Sequence, residues 1–232
     1  MSTIYLIPSF LAEDTIETIP QYVLTHLKSC KIIFAENLRT ARRFLKAMDK
    51  SIVIEDYQWF EIGNSEMEQK QHFINAISSN LDIAIISEAG CPGVADPGQA
   101  LIAIAQEKNC AVKPLVGPNS ILLALMASGM NGQQFEFCGY LPIENSARVK
   151  RIKELEAQSL KLNSTKIFIE TPYRNDQLFD AIVSNCGQET RLCIAQNITS
   201  PQEIIKTMTI KQWKTKKPSL HKIPVIFLLQ GN

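Results

Sequence analysis

The sequence has few histidines and no closely spaced cysteines, which excludes the common zinc centres. Its three histidines are His26, His72 and His221, and its six cysteines form no C-x-x-C pair. Structural zinc sites draw such ligands from short spacings. We therefore expect no metal site. The scattered cysteines indicate free thiols in a reducing compartment.

An excess of one charge and long apolar runs are also missing. The 24 basic and 23 acidic residues leave a net charge of +1, so any polyanionic partner must be recognised by local charge. No apolar run approaches the ~20 residues needed to cross a bilayer. The N-terminus has no basic lead of the signal-peptide kind. We expect a cytoplasmic globular protein with no membrane segment.

Short apolar runs alternate with helical spacing along the first half of the chain. The runs at residues 4–7, 32–35, 52–54, 83–86 and 112–116 predict strands. The spacing at residues 18–27, 39–50, 69–79 and 100–107 predicts the helices between them. This alternation favours a mostly parallel sheet.

The second half repeats the alternation with different turn residues. Strands are predicted at residues 135–138, 166–170, 191–196 and 225–229, and helices at 121–127, 148–160 and 177–185. The expected fold class is α/β with two domains, residues 1–116 and 117–232, joined without a flexible linker.

The densest turn cluster is the segment SEAGCPGVADPG, residues 87–98. It follows a predicted strand and precedes a predicted helix, where glycine and proline let a ligand approach the backbone. A tight surface loop is the alternative interpretation. The segment has no lysine and matches neither G-x-G-x-x-G nor the P-loop, which disfavours nucleotide phosphate binding.

Five segments resemble motifs of the tetrapyrrole-methylase-fold enzymes, in the same order. Residues 87–98 resemble S-D-A-G-x-P-x-x-x-D-P-G, and residues 36–40 (ENLRT) resemble E-D-T-R-x-T. Residues 117–120 (GPNS), 139–142 (GYLP) and 170–174 (ETPYR) are similar to P-G-P-S-A, G-F-L-P and E-(A/S)-P-H-R. The resemblance is closest to the branch that methylates a ribose 2′-hydroxyl of small-subunit ribosomal RNA.

The resemblance implies a methyltransferase of two α/β domains that clasp S-adenosylmethionine in the cleft between them, usually as a homodimer. The positions that it assigns to the cofactor are Pro8, Ala89, Gly90, Val94, Asp96, Ser120, Ile121, Thr171 and Pro224. The positions that it assigns to chemistry or substrate binding are Glu36, Arg39, Glu170 and Arg174. We expect Glu170 to position substrate or act as a base, or else to accept hydrogen bonds from loop amides or pair with Arg174. The two arginines would bind phosphate or carboxylate, although Arg39 is equally consistent with a solvated helix residue.

The sequence departs from the family pattern at two places that bear on function. Residues 8–11 read PSFL where the family has P-I-G-N, and residues 196–200 read QNITS where it has R-E-L-T-K. These changes leave two alternatives open: a methyltransferase of a tetrapyrrole or another small molecule, or a cofactor-binding assembly protein that has lost methyl transfer.

Basic residues cluster on one predicted helix and in the C-terminal segment. The helix carries Arg39, Arg42, Arg43, Lys46 and Lys50, and residues 204–232 hold six lysines and no acid. Such stripes are typical of RNA-backbone contacts, or of solvated faces. Trp213, between these lysines, could stack on a base or pack in the core. Residues 56–61 are expected to form a loop anchored by aromatic side chains.

Overall fold

A computed structural model describes residues 2–63 and 66–232, without the side chain of Glu66. The chain divides into two compact units, Met1–Asn119 and Ser120–Asn232. Each unit is built on its own five-stranded sheet with helices packed against it.

The first unit has a parallel sheet. Its strands are β1 (Thr3–Ile7), β2 (Ile32–Ala35), β3 (Gln58–Glu61), β4 (Ile83–Ile86) and β5 (Ala111–Pro114), in the order β3-β2-β4-β1-β5. Its helices are α1 (Tyr22–Ser29), α2 (Leu38–Met48), α3 (Glu66–Ser78) and α4 (Gln99–Glu107). Every strand pair in this sheet is parallel. The parallel sheet expected from the alternation is confirmed.

Alternate side chains of the central strands divide this unit's core into two layers. Ile33 and Ile86 belong to a cluster with residues of α1 and α2, whereas Phe34 and Ile85 belong to a cluster with residues of α3 and α4. Strands covered on both faces must be apolar at every position. This requirement explains the wholly apolar segments IIFA and IAII.

Two expectations for the first unit are wrong. Residues 52–54 form no strand, and the segment expected to be an aromatic-anchored loop contains β3, which pairs with β2 from Gln58 to Glu61. Ile54–Asp56 is a 3-10 turn, and its Ile54 carbonyl accepts a 2.9 Å hydrogen bond from Trp59 Nε1. An edge strand with a solvated face can carry polar residues, so β3 lacks the continuous apolar run of its neighbours.

The second unit has a mixed sheet. Its strands are β6 (Phe135–Tyr140), β7 (Thr165–Ile169), β8 (Arg191–Gln196), β9 (Ile204–Thr209) and β10 (Val225–Gln230), in the order β6-β7-β10-β8-β9. Its helices are α5 (Ser120–Ser128), α6 (Asn145–Leu162), α7 (Asn175–Asn185) and α8 (Ile210–Trp213). Only β6 and β7 are parallel, and the other pairs are antiparallel.

The C-terminal basic segment is part of this fold. Its first residues form β9, a strand absent from the elements predicted above. Trp213 is buried, packs edge-on against Phe179 at 5.8 Å and donates from Nε1 to the Leu192 carbonyl at 2.8 Å. Trp213 therefore packs in the core.

Candidate functional site

Three loops leave the same edge of the first sheet. They are residues 8–11 after β1, residues 87–98 after β4 and residues 115–119 after β5. In the strand order, β1 lies between β4 and β5. Because all three strands are parallel, their loops emerge side by side at the carboxyl edge, where open α/β sheets bind ligands.

Direct contacts join these loops. Ser9 and Gly90 exchange two backbone hydrogen bonds, of 2.9 and 3.1 Å. Cys91 Sγ lies 3.5 Å from the Pro118 carbonyl oxygen. A Cβ on Gly117 would lie only 2.2 Å from Cβ of Pro8, so the third loop reaches the first through a position that only glycine fits. The loops form one continuous rim.

The pairing with Ser9 changes the role expected of Gly90. Its N–H and carbonyl are both used within the rim, and Leu11 Cδ2 lies 3.2 Å from where a Cβ would stand. Gly90 has φ +77°, a conformation that glycine adopts readily. This glycine therefore shapes the rim, while Ala89 and Val94 present exposed apolar surface.

Asp96 holds the long loop in shape. Its Oδ1 accepts hydrogen bonds from the N–H groups of Gly93 at 3.1 Å and Gly98 at 2.8 Å. Gly98 must be glycine here, because a Cβ would lie 2.7 Å from that oxygen. One carboxylate oxygen thus fixes the turn that leads into α4, and ligand contact by Asp96 remains a prediction.

An acidic residue at the end of β2 lies next to the rim. Glu36 follows β2 directly and accepts a hydrogen bond from the backbone N–H of Glu88. Desolvation raises the pKa of the Glu36 carboxyl, and the nearby charges of Asp96 and Glu88 raise it further. A raised pKa makes a carboxylate a stronger base once it is ionised.

The basic residues of α2 are only partly available to a ligand. The helix begins at Asn37, whose side chain accepts from the N–H groups of Arg39 and Thr40. Arg42 lies over the Trp59 ring at 5.3 Å, and Lys46 Nζ donates to the carbonyls of Lys50 and Ile52. Arg43 forms an exposed ion pair of 3.3 Å with Glu13. Within the described residues, Arg39 has an exposed side chain and no carboxylate partner.

In the second unit, Glu170 and Arg174 bind each other. Glu170 Oε1 accepts from Arg174 Nε at 3.0 Å, from Arg174 Nη2 at 2.7 Å and from the Thr171 N–H at 2.6 Å. The Glu170 side chain is fully buried, and its Oε2 has no hydrogen-bond partner among the residues that the structure describes. The pairing considered as an alternative is therefore present. It leaves Arg174 less free for phosphate or carboxylate binding.

Three other residues predicted to bind the cofactor lie in the second unit. Ser120 opens α5, and Ile121 is buried in it. Pro224 precedes β10, and its carbonyl accepts a 3.1 Å hydrogen bond from the Asn197 N–H. Their role in cofactor binding remains a prediction, as does that of Pro8 and Thr171.

Sequence reasoning missed three rim residues: Ser9, Cys91 and the glycine at 117. Gly117 stood inside a recognised motif, but its closeness to Pro8 depends on the order of the strands. Ser9 belongs to a segment that departs from the family pattern, so no motif pointed to its pairing with Gly90.

Metal and membrane features are absent from the part of the chain described. Within residues 2–63 and 66–232, no group of three or more His, Cys, Asp or Glu side chains could hold a metal ion. All six cysteines are free thiols. None of the helices described is both long and apolar enough to cross a membrane.

A two-unit α/β fold with a glycine- and proline-built rim defines the class III type of methyltransferase. The model of the tetrapyrrole (corrin/porphyrin) methylases matches residues 16–214, and the chain belongs to this family. Enzymes of this class take the methyl group from S-adenosylmethionine.

Named relatives come from several bacteria. A protein named ribosomal RNA small subunit methyltransferase I from Vibrio cholerae is 27% identical over 234 residues, covering 98% of this chain and 77% of its own. One of the same name from Mesorhizobium japonicum is 31% identical over 188 residues, covering 81% of this chain and 61% of its own. The match thus leaves more than a third of the Mesorhizobium protein uncovered.

Solved structures share the fold. The methyltransferase CobJ superposes with a TM-score of 0.65 at 15% identity, covering 99% of this chain and 93% of its own. Uroporphyrin-III C-methyl transferase from Thermus thermophilus, complexed with S-adenosyl homocysteine, has a TM-score of 0.59 at 10% identity, covering 99% and 97%. At these identities the likeness establishes the fold alone.

Proposed function

We propose that this chain transfers a methyl group from S-adenosylmethionine to a ribose 2′-hydroxyl of small-subunit ribosomal RNA, in the cytoplasm and as a homodimer. The observation that carries the proposal is the rim of three joined loops, in a chain whose named relatives act on small-subunit ribosomal RNA. The homodimer rests on resemblance to the family.

The chemistry of the rim fits the cofactor. Ala89 and Val94 offer apolar surface to an adenine ring. Sites for such ligands are lined mainly by apolar side chains, with a few polar groups that fix the orientation. Glu88 supplies an exposed carboxylate that can accept hydrogen bonds from ribose hydroxyls and attract a cationic sulfonium. When bound, S-adenosylmethionine supplies the methyl group and a neutral thioether leaving group.

The protein must position the hydroxyl and receive its proton. Reacting atoms need to be about 3 Å apart and in line. Glu36 is the better candidate for the proton acceptor, because its pKa is raised and the Arg174 ion pair holds Glu170. Glu170 instead fixes the backbone of Thr171 through the 2.6 Å hydrogen bond.

Arg39 fits a role in binding an RNA phosphate. It is exposed at the first turn of α2, close in sequence to Glu36. The helix contains no acidic residue that would neutralise it. A cation there would hold the backbone of the acceptor strand, a contact that orients RNA without reading its sequence.

The test is methyl transfer from a methyl-tritiated cofactor to small ribosomal subunits that lack the modification, with a free tetrapyrrole as the competing acceptor. We expect label in RNA only. Glu36→Gln should lower the rate by about 10²- to 10⁴-fold while leaving S-adenosyl homocysteine affinity within a few-fold. Glu107→Gln, an exposed change on α4, is the matched control. Label in the tetrapyrrole alone, or no transfer by the wild-type chain, would contradict the proposal.

A further inference from the structure

The second unit contains a groove that the predicted site does not use. It has a volume of about 530 Å³ and runs beside β9 and residues 216–223. This volume lies within the range of small-ligand sites, roughly 300–1,000 Å³.

The groove has an apolar floor. Met208 and Ile223 line it and pack against the buried core of the second unit. Ile204 lies at its margin with 55% of its surface exposed. Such a floor suits the flat face of a nucleobase, which protein sites hold against aromatic or apolar side chains.

A glutamine side chain also lines the groove. Gln196 is the last residue of β8 and is 7% exposed, yet its side chain makes no hydrogen bond with any described residue. Its amide is open to solvent, so it can pair with a group that enters the groove. Amide groups can both donate to and accept from the edge of a base.

The turn after β8 is strained where it meets the groove. Asn197 and Thr199 have φ of 49° and 72°, and a β-branched residue rarely adopts this conformation. The turn is held by the Thr199 N–H, which donates to Glu203 at 2.7 Å. Strain of this kind concentrates at ligand sites, because the surrounding structure must enforce it.

The groove carries positive charge only. Lys206 and Lys216 line it, and no lining residue is acidic. Both side chains are exposed, and neither forms an ion pair among residues 2–63 and 66–232. Lys217, by contrast, is paired with Asp180 at 2.6 Å. Two unpaired lysines beside an apolar floor match a base and its flanking phosphates.

We propose that this groove binds a single-stranded segment of the acceptor RNA. One base lies on the apolar floor with its edge on the Gln196 amide, and Lys206 and Lys216 contact the phosphates on either side. The inference rests on the proposed function, since the RNA is the acceptor of that reaction.

The test is a salt series of fluorescence anisotropy with a labelled single-stranded oligoribonucleotide and the full chain. Each phosphate contact contributes about 0.7 to the slope of log affinity against log salt for a single strand. The double variant Lys206→Ala/Lys216→Ala should therefore flatten the slope by about 1.4 and weaken binding roughly 25-fold at about 0.1 M salt. Gln196→Leu should weaken binding by roughly 2- to 13-fold without changing the slope.

Lys211→Ala/Lys214→Ala is the matched control, because it removes the same charge from exposed lysines that do not line the groove. Equal weakening by both double variants, or no RNA binding by the wild type, would overturn the inference. Wild-type RNA binding that depends on the groove lysines, without methyl transfer, would uphold it and defeat the proposed function. If Lys206→Ala/Lys216→Ala methylates RNA at the wild-type rate and with the wild-type KM for RNA, the inference fails and the proposed function stands.

Discussion

Gly117→Ala isolates the contact that closes the rim. Gly117 has no positive φ, so alanine can adopt its backbone conformation. The added Cβ would nevertheless stand 2.2 and 2.4 Å from two ring carbons of Pro8. Ordinary contacts begin near 3.4 Å, and a buried proline ring cannot rotate away. One of the two loops must therefore move by about 1 Å, a displacement that overpacked sites resist.

The expected cost of this substitution is about 1–3 kcal/mol of stability. For a chain of this size that cost lowers Tm by roughly 2–12 °C. Because a misplacement of about 1 Å can cost 10²-fold in rate, we also expect methyl transfer to fall by that order. Thermal unfolding monitored by circular dichroism measures the change in Tm, and tritium transfer to small ribosomal subunits measures the change in rate.

Gly132→Ala is the matched control. Gly132 also lacks a positive φ, and nothing lies within 4 Å of its would-be Cβ. It should be neutral or stabilising by about 0.4–1 kcal/mol. Equal Tm and equal methyl-transfer rates for the two variants would refute the close approach of Pro8 and Gly117.

Three further predictions follow from buried charges and thiols. Arg174→Ala strands the fully buried Glu170 carboxylate and should cost about 3 kcal/mol by chemical unfolding, whereas Lys217→Ala, in an exposed pair, should cost at most about 1 kcal/mol. Folding raises the pKa of Glu36, so the folded state binds more protons than the unfolded state. The stability of the protein therefore falls as pH rises from the pKa of Glu36 in the unfolded chain to its pKa in the folded chain. Glu36→Gln should therefore stabilise the protein at neutral pH and lose this advantage near pH 4, and an equal effect at both values would contradict the assigned cause. Burial raises three thiol pKa values, to about 12, 12 and 11, for Cys30, Cys186 and Cys193. These thiols should resist alkylation at pH 8 until the chain unfolds. Alkylated Cys30, Cys186 or Cys193 in mass spectra of native samples would contradict the prediction.

The first sheet could be predicted because its central strands are buried on both faces. Segments such as IIFA and IAII are continuous apolar runs of the kind that burial on both faces of a parallel sheet produces. The third strand was predicted at the wrong position because it is not buried on both faces. Gln58–Glu61 lies at the sheet edge, where exposed positions can be polar, so it has no continuous apolar run. The short apolar run at residues 52–54 was therefore predicted as the strand instead.

Edge position also concealed β9. Its exposed residues include Lys206, and charged residues on an edge strand discourage pairing with another chain. The strand therefore resembled a basic tail in sequence. Trp213 had two interpretations because neither its burial nor its partner Leu192 can be inferred from neighbouring residues.

For the site, motif order indicated the loops, while their contacts depended on tertiary structure. Glu36 and the long loop were identified from the family pattern, but the pKa of Glu36 depends on how Asp96 and Glu88 are placed. The pairing of Ser9 with Gly90 joins residues far apart in sequence and required the strand order. The ion pair of Glu170 with Arg174 joins residues only four positions apart, so it could be anticipated without the tertiary structure.

The central claim is methyl transfer to a ribose 2′-hydroxyl, and alkaline digestion of the labelled product tests it most directly. A methylated 2′-oxygen cannot attack the adjacent phosphate, so that linkage survives alkali. Small subunits labelled by the wild-type chain should release tritium in an alkali-resistant dinucleotide. Tritium released in mononucleotides would mean methylation of a base, and unlabelled RNA would mean that the acceptor has been misassigned; either result would contradict the account.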